Sequence, residues 1–279
     1  MLKDQTIDLA KPLVEEHFRQ AAPFWESIYD SSDVYGIIHQ KRRELVFSFA
    51  ERVCLPRCSK ALDVGCGAGS ISVGLAELGF SVNAIDPVPE MVNLTSRAAS
   101  QSRLSAAITP QTGDIDRLPF AAESFDIVLA IGVLPWLKSY DDALNEVRRV
   151  LKPGGFFIAN IDNSLALHRL LDPGMNVLLQ PVKSALLRML GVFGLHKPKR
   201  RVPATTVFPA RFERALRTCG FEPKNRAMYG FGPISVFGHH LLSTKSGIDV
   251  HHRLQQLCER GVPIVRSLGA QYLVAAQKI

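Results

Sequence analysis

The amino-acid sequence predicts an α/β fold in which helices cover both faces of a mostly parallel sheet. Two observations predict this fold class. Short apolar segments typical of strands alternate with segments of helical period over most of the 279 residues. A strand at 60–64, a helix near 70–78 and a strand at 81–86 also follow one another closely enough to form a βαβ unit. Strands joined in this way pair in parallel and are buried on both faces.

The N-terminal part of the chain predicts a helical cap, residues 1–55, in front of a larger domain, residues 56–279. Apolar residues within 13–21 recur at intervals of three and four, which is the period of a helix. A second helix is predicted at about 35–53, and aromatic side chains lie between the two helices.

The rest of the chain continues the alternation of helices and strands. The predicted elements are a helix near 88–100, strands near 107–112 and at 125–131, a helix near 140–150, a strand at 156–160, a helix at 209–219, and strands near 225–231 and 271–278. The sequence Lys152-Pro-Gly-Gly predicts a turn before the strand at 156–160. Two insertions, at about 162–203 and 232–268, interrupt the plan.

The composition is that of a globular protein, with 47% hydrophobic and 21% charged residues. The longest uncharged apolar stretch, 127–137, is too short for a membrane span of roughly 20 residues, and the N-terminus lacks the apolar run of a signal peptide. The five cysteines contain no pair at zinc spacing. We therefore expect a soluble, cytoplasmic protein with reduced cysteines and no metal site.

One segment accounts for the formal net charge of +7. Between Pro173 and Phe212 there is no Asp or Glu, and the segment contains Lys183, Arg188, Lys197, Lys199, Arg200, Arg201 and Arg211. Within it, residues 177–193 predict an amphipathic helix. This helix is either a lid packed on the domain or a surface for anionic lipid or an acidic, lipid-like substrate. RNA binding is a further alternative for the same cations.

A glycine-rich turn is the most informative motif of the sequence. It reads Asp63-Val-Gly-Cys-Gly-Ala-Gly69 and lies directly between a predicted strand and a predicted helix. Glycines let the backbone turn tightly and approach a ligand closely, and the first turn of a helix offers unpaired N–H donors. Dinucleotide dehydrogenases use the pattern GxGxxG, but Ser70 stands where that pattern has its third glycine. Glycines in such a turn can serve the backbone conformation alone, but Asp63 and Asp86 on either side of them favour nucleoside binding.

This motif and its neighbours resemble those of the class I S-adenosylmethionine-dependent methyltransferases, whose first motif is an acidic residue, one spacer and GxGxG. The resemblance runs in order from Ala61 to Ile158 and includes Asp86, the sequence Gly113-Asp-Ile and the sequence Leu151-Lys-Pro-Gly-Gly-Phe. It implies a Rossmann-like sheet of seven strands in the order 3-2-1-4-5-7-6, with the last strand antiparallel.

The resemblance also implies S-adenosylmethionine as the cofactor. In that family the glycine turn and its acid lie under the methionine and ribose, the acid after the second strand binds the ribose hydroxyls, and the third motif lies beside the adenine. Carried over to this chain, the cofactor-binding residues are Asp63, Gly65, Gly67, Gly69, Asp86, Asp114 and Ile115. Taken singly, Asp86 also fits a helix cap and Asp114 a solvated turn.

The acceptor is predicted to be an apolar or amphipathic small molecule that is methylated on oxygen. DNA and RNA amino-methyltransferases of this fold carry Asn or Asp followed by Pro-Pro and an aromatic residue after the fourth strand, and residues 130–136 lack that motif. None of the cysteines has the context of a cytosine C5 nucleophile. We therefore expect no DNA partner, and RNA is disfavoured. The arrangement instead resembles the small-molecule branch, including enzymes of ubiquinone, menaquinone and tetrapyrrole synthesis.

Four histidines and four aromatic residues are candidates for the acceptor side. A hydroxyl acceptor needs a base, and the candidates in the capping segments are His17, His39, His239 and His240. The candidates for substrate contact are Trp25, Tyr29, Tyr35 and Trp136. For each of them the alternative is a packing or surface role. A non-catalytic cofactor-binding regulator is the competing function, because a fold alone does not give activity.

Overall fold

The computed structural model describes residues 10–176, 179, 204–237 and 239–279. The predicted amphipathic helix at 177–193, apart from residue 179, and the cations from Lys183 to Arg201 lie outside these residues. Among the helices of the described part, none combines the length and the hydropathy that crossing a bilayer requires.

A central sheet contains most of the strands. The strands of the described residues are β1 (Lys60–Val64), β2 (Ser81–Asp86), β3 (Ile108–Thr112), β4 (Phe125–Ala130), β5 (Leu151–Asn163), β6 (Thr206–Val207), β7 (Phe221–Tyr229), β8 (Ser235–Val236), β9 (His239–His240) and β10 (Gln271–Lys278). The order across the sheet is β3-β2-β1-β4-β5-β10-β7, and the short strand β6 pairs with the end of β5. Strands β1 to β5 are parallel, whereas β10 is antiparallel to β5 and β7. Counted by the long strands, this is the predicted order 3-2-1-4-5-7-6, which is confirmed.

Helices cover both faces of the sheet. They are α1 (Ala10–Gln20), α2 (Ala22–Ser27), α3 (Val34–Arg52), α4 (Ser70–Glu77), α5 (Pro89–Gln101), α6 (Asp141–Val150), α7 (Leu167–Leu171), α8 (Pro209–Thr218) and α9 (Thr244–Glu259). Buried side chains of α6 and α8 form the core on one face, and those of α3 and α4 form the core on the other. The two cores leave the carboxyl ends of the parallel strands free for a site.

Strand β5 is longer than predicted, because the sequence Lys152-Pro-Gly-Gly lies inside it. The register against β4 shifts within this sequence, so that pairing resumes at Phe156 after Leu151. The Lys152 ammonium lies 2.7 Å from the Asp126 carboxylate of β4 and holds the bulge against the neighbouring strand. The four residues therefore interrupt the ladder without ending the strand.

Both edge strands of the sheet contain a proline. Pro110 lies in β3 and Pro223 in β7, positions that a central strand would not tolerate. The N–H of Val82 donates to the carbonyl of Ala107 at 2.7 Å. Because successive residues of a strand face opposite sides, Pro110 turns its nitrogen to the open edge. At the other edge, β7 begins earlier than predicted and includes its proline.

The second predicted insertion, 232–268, contains a hairpin and a helix. Strands β8 and β9 pair antiparallel, and α9 packs against α3. Ser243 caps α9 by accepting a hydrogen bond from the N–H of Ser246. His251 on α9 is buried, and its Nδ1 accepts the N–H of Phe231 at 3.1 Å. This insertion therefore fixes α3 against the sheet from the outside.

Candidate functional site

A cavity of about 700 Å³ lies at the carboxyl ends of β1, β2 and β4, with α1 on the opposite side. Ligands of open α/β sheets bind at this edge. The structure brings together most of the predicted site residues here. Those that line the cavity are Asp63, Gly65, Gly67, Asp86, Asp114, Ile115, Trp25, Tyr29 and Trp136.

Asp63 is the penultimate residue of the apolar strand β1 and is 1% exposed. The hydroxyl of Ser72 on α4 donates to its carboxylate at 2.6 Å. Burial raises the pKa of Asp63 to about 6, and the nearby charge of Asp86 adds to the rise while the Ser72 hydrogen bonds oppose it. A cationic ligand group would restore the ionised form.

Asp86 ties the glycine turn to the end of β2. Its two carboxylate oxygens accept the N–H of Gly67 at 3.1 Å and the N–H of Val88 at 2.9 Å. Burial raises the pKa of Asp86 to about 6, and these two hydrogen bonds oppose the rise. Asp86 thus caps the segment before α5 and lines the cavity at the same time.

The glycines of the turn have different neighbours. Gly65 and Gly67 have φ values of 70° and 55°, which favour glycine. A Cβ on Gly65 would lie 2.3 Å from the Cγ2 of Val133, whereas a Cβ on Gly67 would meet no atom within 4 Å. Gly67 therefore leaves the backbone of the turn open to the cavity. Gly69, which the resemblance implies as a cofactor contact, does not line the cavity and packs instead on Thr95 of α5.

Asp114 and Ile115 form the end of the cavity that follows β3. Ile115 is buried and belongs to the core below. The carboxylate of Asp114 pairs with the ammonium of Lys11 on α1, which also lies 3.2 Å from Asp116. Helix α1 therefore covers this end of the cavity.

An aromatic wall of Phe18, Trp25 and Trp136 lines the cavity together with the glycine turn. The ring of Phe18 lies 5.7 Å from that of Trp25 and 5.1 Å from that of Trp136, centroid to centroid. Tyr29 lies beside this wall and also lines the cavity. The fourth candidate, Tyr35, is 47% exposed and lies outside the lining.

Three candidate histidines lie at the surface. His17 is exposed on α1, outside the lining, with its ring 5.6 Å from that of Trp136. His239 and His240 form β9 and are exposed. Their positions give no support for a base that acts on a substrate in this cavity.

The fourth candidate, His39, lies behind the wall and outside the lining. Its ring is 5.7 Å from that of Trp25, and its Nδ1 donates to the carbonyl of Tyr35 at 2.8 Å. Burial lowers the pKa of His39 to about 4, and the charge of Arg42 lowers it further. Such a histidine stays neutral at pH 7 and is a weak base.

Arg42 also lines the cavity, but the sequence analysis does not predict it as a site residue. It is 5% exposed, and its Nη2 donates to the hydroxyl of Tyr29 at 3.0 Å. The signal lies in the period of α3, where Arg42 shares the buried face with Ile38, Val46 and Phe49. A charged residue at a core position of a helix is unusual enough to indicate a site.

The sheet side of the cavity fits S-adenosylmethionine, the cofactor that the resemblance implies. Asp63 and Asp86 are buried carboxylates that bond hydroxyl and N–H donors but no cationic side chain of the described residues. The ammonium and ribose hydroxyls of the cofactor would supply such partners. The open space above Gly67 allows a ligand to lie directly against the turn. Ile115 offers an apolar surface on which the adenine ring of the cofactor could pack.

The comparison with known proteins agrees with this geometry. Residues 62–159 match the family model described as a methyltransferase domain. A sterol 4-C-methyltransferase of Caenorhabditis elegans is 27% identical over 121 residues, which are 43% of this chain and 36% of that protein. A ubiquinone biosynthesis O-methyltransferase of Caulobacter vibrioides is 33% identical over 105 residues, which are 37% of this chain and 41% of that protein. The chain spans between 36% and 65% of the length of such curated relatives.

Among solved structures, magnesium protoporphyrin IX methyltransferase of Synechocystis, crystallised with bound S-adenosylhomocysteine, has a TM-score of 0.64. It covers 96% of this chain and 100% of its own, at 18% identity, and this likeness shows the fold alone. The family match, the strand order and the acidic glycine turn at the end of β1 point to one conclusion. Residues 62–159 are similar to a methyltransferase domain, and the described residues have the strand order of a Rossmann-like fold.

Proposed function

We propose that the protein transfers a methyl group from S-adenosylmethionine to an oxygen of an apolar or amphipathic small molecule. The two-sided cavity carries this proposal. Carboxylates and glycines line the sheet side, and an aromatic wall lines the side of the helical cap. A volume of about 700 Å³ lies within the usual range of small-molecule sites.

Methyl transfer from a sulfonium is an in-line displacement on an activated electrophile, so alignment and exclusion of water supply most of the rate. Asp63 and Asp86 hold the polar and cationic groups on the sheet side, and Gly67 allows their close approach. Trp25 and Trp136 exclude water on the other side, and their ring faces attract positive charge.

The aromatic wall also weighs against the competing function of a non-catalytic regulator. A protein that only binds the cofactor has no need of a second, apolar compartment beside it. Trp25, Tyr29 and Trp136 form such a compartment next to the glycine turn. RNA methylation rests on the cations between Lys183 and Arg201, which lie outside the described residues.

Calorimetry with purified protein tests the proposal. We expect S-adenosylmethionine and S-adenosylhomocysteine to bind with micromolar Kd, roughly −8 kcal/mol. Asp86→Ala removes a charged acceptor and should cost about 1–3 kcal/mol of that binding. Asp249→Ala, at an exposed position of α9, is the matched control and should leave Kd unchanged. Binding of NADH without binding of either adenosyl compound would contradict the proposal.

We propose in addition that the acceptor is lipid-like or acidic and that the basic segment holds the protein at a membrane surface. The sequence between Pro173 and Phe212 contains seven cations and no Asp or Glu. The described residues in or beside this segment include Leu171, Met175 and Phe208, which are 42% to 47% exposed. Cations together with exposed apolar side chains are typical of surfaces that dock on anionic lipid.

A further inference from the structure

We infer that the acceptor is an apolar carboxylic acid, that its carboxylate binds Arg42, and that the product is a methyl ester. The inference rests on the proposed function and concerns the acceptor side of the same cavity. It is carried by a buried guanidinium that faces the cavity without an anionic partner.

Arg42 is 5% exposed, and no Asp or Glu of the described residues forms an ion pair with it. Its Nε has no hydrogen-bond partner among those residues, and its Nη2 donates to the neutral hydroxyl of Tyr29. A buried charge that lacks both an ion pair and a full set of hydrogen bonds strongly destabilises a fold. An anion in the cavity would remove this penalty.

The nearest acids have other partners. Asp162 contributes to the electrostatic environment of Arg42, but its carboxylate accepts the amide of Gln271 at 3.1 Å and lies 3.7 Å from Arg169. The carboxylates of Asp63 and Asp86 bond the α4 hydroxyl and the backbone of the turn. Arg42 is therefore available to a ligand.

Two further hydrogen-bond donors lie in the lining of the same cavity, on Tyr29 and Trp25. The hydroxyl of Tyr29 accepts from Arg42 and keeps its own proton to donate, and the indole N–H of Trp25 has no partner among the described residues. The Nη1 of Arg42 lies 3.3 Å from the position that a Cβ of Gly132 would take. The N–H of Gly132 donates to the Oδ1 of Asn160 at 2.6 Å. The Nδ2 of Asn160, a buried residue outside the cavity lining, has no acceptor in the described part of the chain.

Donors without acceptors match a ligand that only accepts hydrogen bonds. A carboxylate is such a ligand, and its plane matches the fork of a guanidinium. Apolar side chains, among them Phe18, Ile131 and Val133, also line the cavity. The site therefore fits a carboxylate attached to an apolar body.

A carboxylate acceptor also removes the need for a general base. It is ionised at pH 7, so one oxygen attacks the methyl carbon while Arg42 holds the other. The O–CH₃ bond forms, the S–CH₃ bond breaks, and the electron pair of that bond goes to sulfur. A neutral ester and S-adenosylhomocysteine result, and no proton has to be removed. No histidine lines the cavity within the described residues, which agrees with this chemistry.

A label experiment identifies the bond that is formed. The full chain is incubated with methyl-labelled S-adenosylmethionine and a metabolite extract, and the labelled products are then treated with mild alkali. Methyl esters release labelled methanol, whereas methyl ethers and N- or C-methyl groups keep the label. We expect most of the label to become volatile. Label that stays in the products would overturn the inference.

A binding experiment identifies the residue. The two tryptophans of the chain, Trp25 and Trp136, both line the cavity, so their fluorescence reports its occupancy. Dodecanoate and dodecan-1-ol are titrated into protein saturated with S-adenosylhomocysteine. Arg42→Gln should weaken dodecanoate binding about ten- to hundredfold and leave dodecan-1-ol unchanged. Arg52→Gln, an exposed position at the end of the same helix, should change neither. Equal dodecanoate binding by the wild type and Arg42→Gln would overturn the assignment.

Two controls separate a structural role from recognition and from failure of the proposed function. If Arg42 only supported the fold, Arg42→Gln would lower Tm and weaken both probes, whereas loss of an unpaired buried charge should not lower Tm. Arg42→Lys keeps the charge without the fork and should recover part of the dodecanoate binding. S-adenosylhomocysteine is titrated into every variant. Its failure to bind wild type would contradict the proposed function, and normal binding with no preference for dodecanoate would contradict this inference alone.

Discussion

The carboxylate of Asp63 lies at the floor of the cavity, 1% exposed and bonded to the Ser72 hydroxyl. Burial raises its pKa to about 6 from the ordinary 3.8, a difference worth about 3 kcal/mol. Below about pH 4 the group is protonated in both the folded and the unfolded protein, and burial carries no ionisation cost. Above about pH 6 it is ionised in both states and the full cost is present. Its contribution to stability therefore falls as the pH rises from 4 to 6.

Replacing Asp63 by Asn should remove this pH dependence. We expect the free energy of unfolding of Asp63→Asn, relative to wild type, to rise by about 3 kcal/mol between pH 4 and pH 7. Urea unfolding of both proteins at each pH measures the difference. Burial lowers the pKa values of His39 and His251 to about 4, so both histidines make the protein more stable as the pH rises. These contributions are the same in both proteins and cancel when their free energies of unfolding are subtracted. Parallel pH profiles would show that Asp63 titrates normally.

The predictability of single residues depends on whether a motif contains them. The positions of Asp63, Gly65, Gly67 and Asp86 at the cavity could be predicted because the motif that contains or follows the turn restricts the residue types there, whereas Gly69 lies outside the lining. Arg42 belongs to no motif, and its one signal in the sequence is a charged side chain on the buried face of α3, which a search for motifs does not detect. Tyr35 was predicted to contact the substrate because it is aromatic. It points outward from α3, is 47% exposed and does not line the cavity.

Helix α1 is the element on which access to the cavity depends. It supplies Lys11, Val14, Glu15 and Phe18 to the lining. A backbone hydrogen bond from Ala21 to His17 connects α1 to the start of α2. No other backbone hydrogen bond joins α1 to another element of the described chain. Ion pairs fix it instead, from Lys11 to Asp114 and Asp116 and from Arg19 to Glu90 at 3.1 Å. Partly exposed ion pairs of this kind contribute about 0–1 kcal/mol each.

Removing these ion pairs should loosen α1 and leave the rest of the domain intact. In the double variant Lys11→Ala, Arg19→Ala we expect faster amide exchange over 10–20 and an unchanged exchange rate in β1 and β4. Hydrogen exchange with mass spectrometry measures both regions. Lys245→Ala, Arg253→Ala, at exposed positions of α9, removes the same charge elsewhere and should leave α1 unchanged. Unchanged exchange in both double variants would mean that the aromatic wall alone holds α1.

Most elements could be predicted from local pattern. The bounds of β2 and β10 agree with the prediction, and those of α3 and α6 differ by a residue or two. The predicted strand bounds are wrong where pairing with a neighbouring strand overrides the local signal of a glycine or a proline. The glycines after Lys152 indicate a turn, but pairing with β4 continues past them, and Pro223 indicates a strand end, but an edge strand tolerates it.

At the scale of the whole molecule, the basic segment should decide whether the protein binds membranes. Each cation near an anionic surface contributes about 1 kcal/mol, so replacing Lys197, Lys199, Arg200 and Arg201 by Gln should weaken vesicle binding by about three orders of magnitude. Co-sedimentation with phosphatidylserine vesicles at low and high salt measures this. Replacing Lys224, Lys245, Arg253 and Arg260 by Gln removes the same charge elsewhere and is the control. Membrane docking would be contradicted if wild type and both variants sedimented with the vesicles to the same extent, or if none of the three proteins sedimented with them.

The overall topology could be predicted because the motifs from Asp63 to Phe156 occur in the order that the family resemblance requires, and the strand order confirms it. The acceptor compartment could not be predicted in the same way. It is assembled from the first helices of the chain, between Lys11 and Arg42, and from the segment after β4, which lies far from them in sequence. Their meeting depends on packing that no local pattern contains.

The proline in β3 has a consequence for the behaviour of the protein in concentrated solution. A parallel sheet that ends in an open strand offers its free N–H and C=O groups to any other extended chain, including a second copy of itself. Pro110 turns a nitrogen without hydrogen toward that side, so an incoming strand would meet a gap in the row of donors. We therefore expect the β3 edge to resist templated growth into fibrils, and newly made chains to be protected there while folding is incomplete.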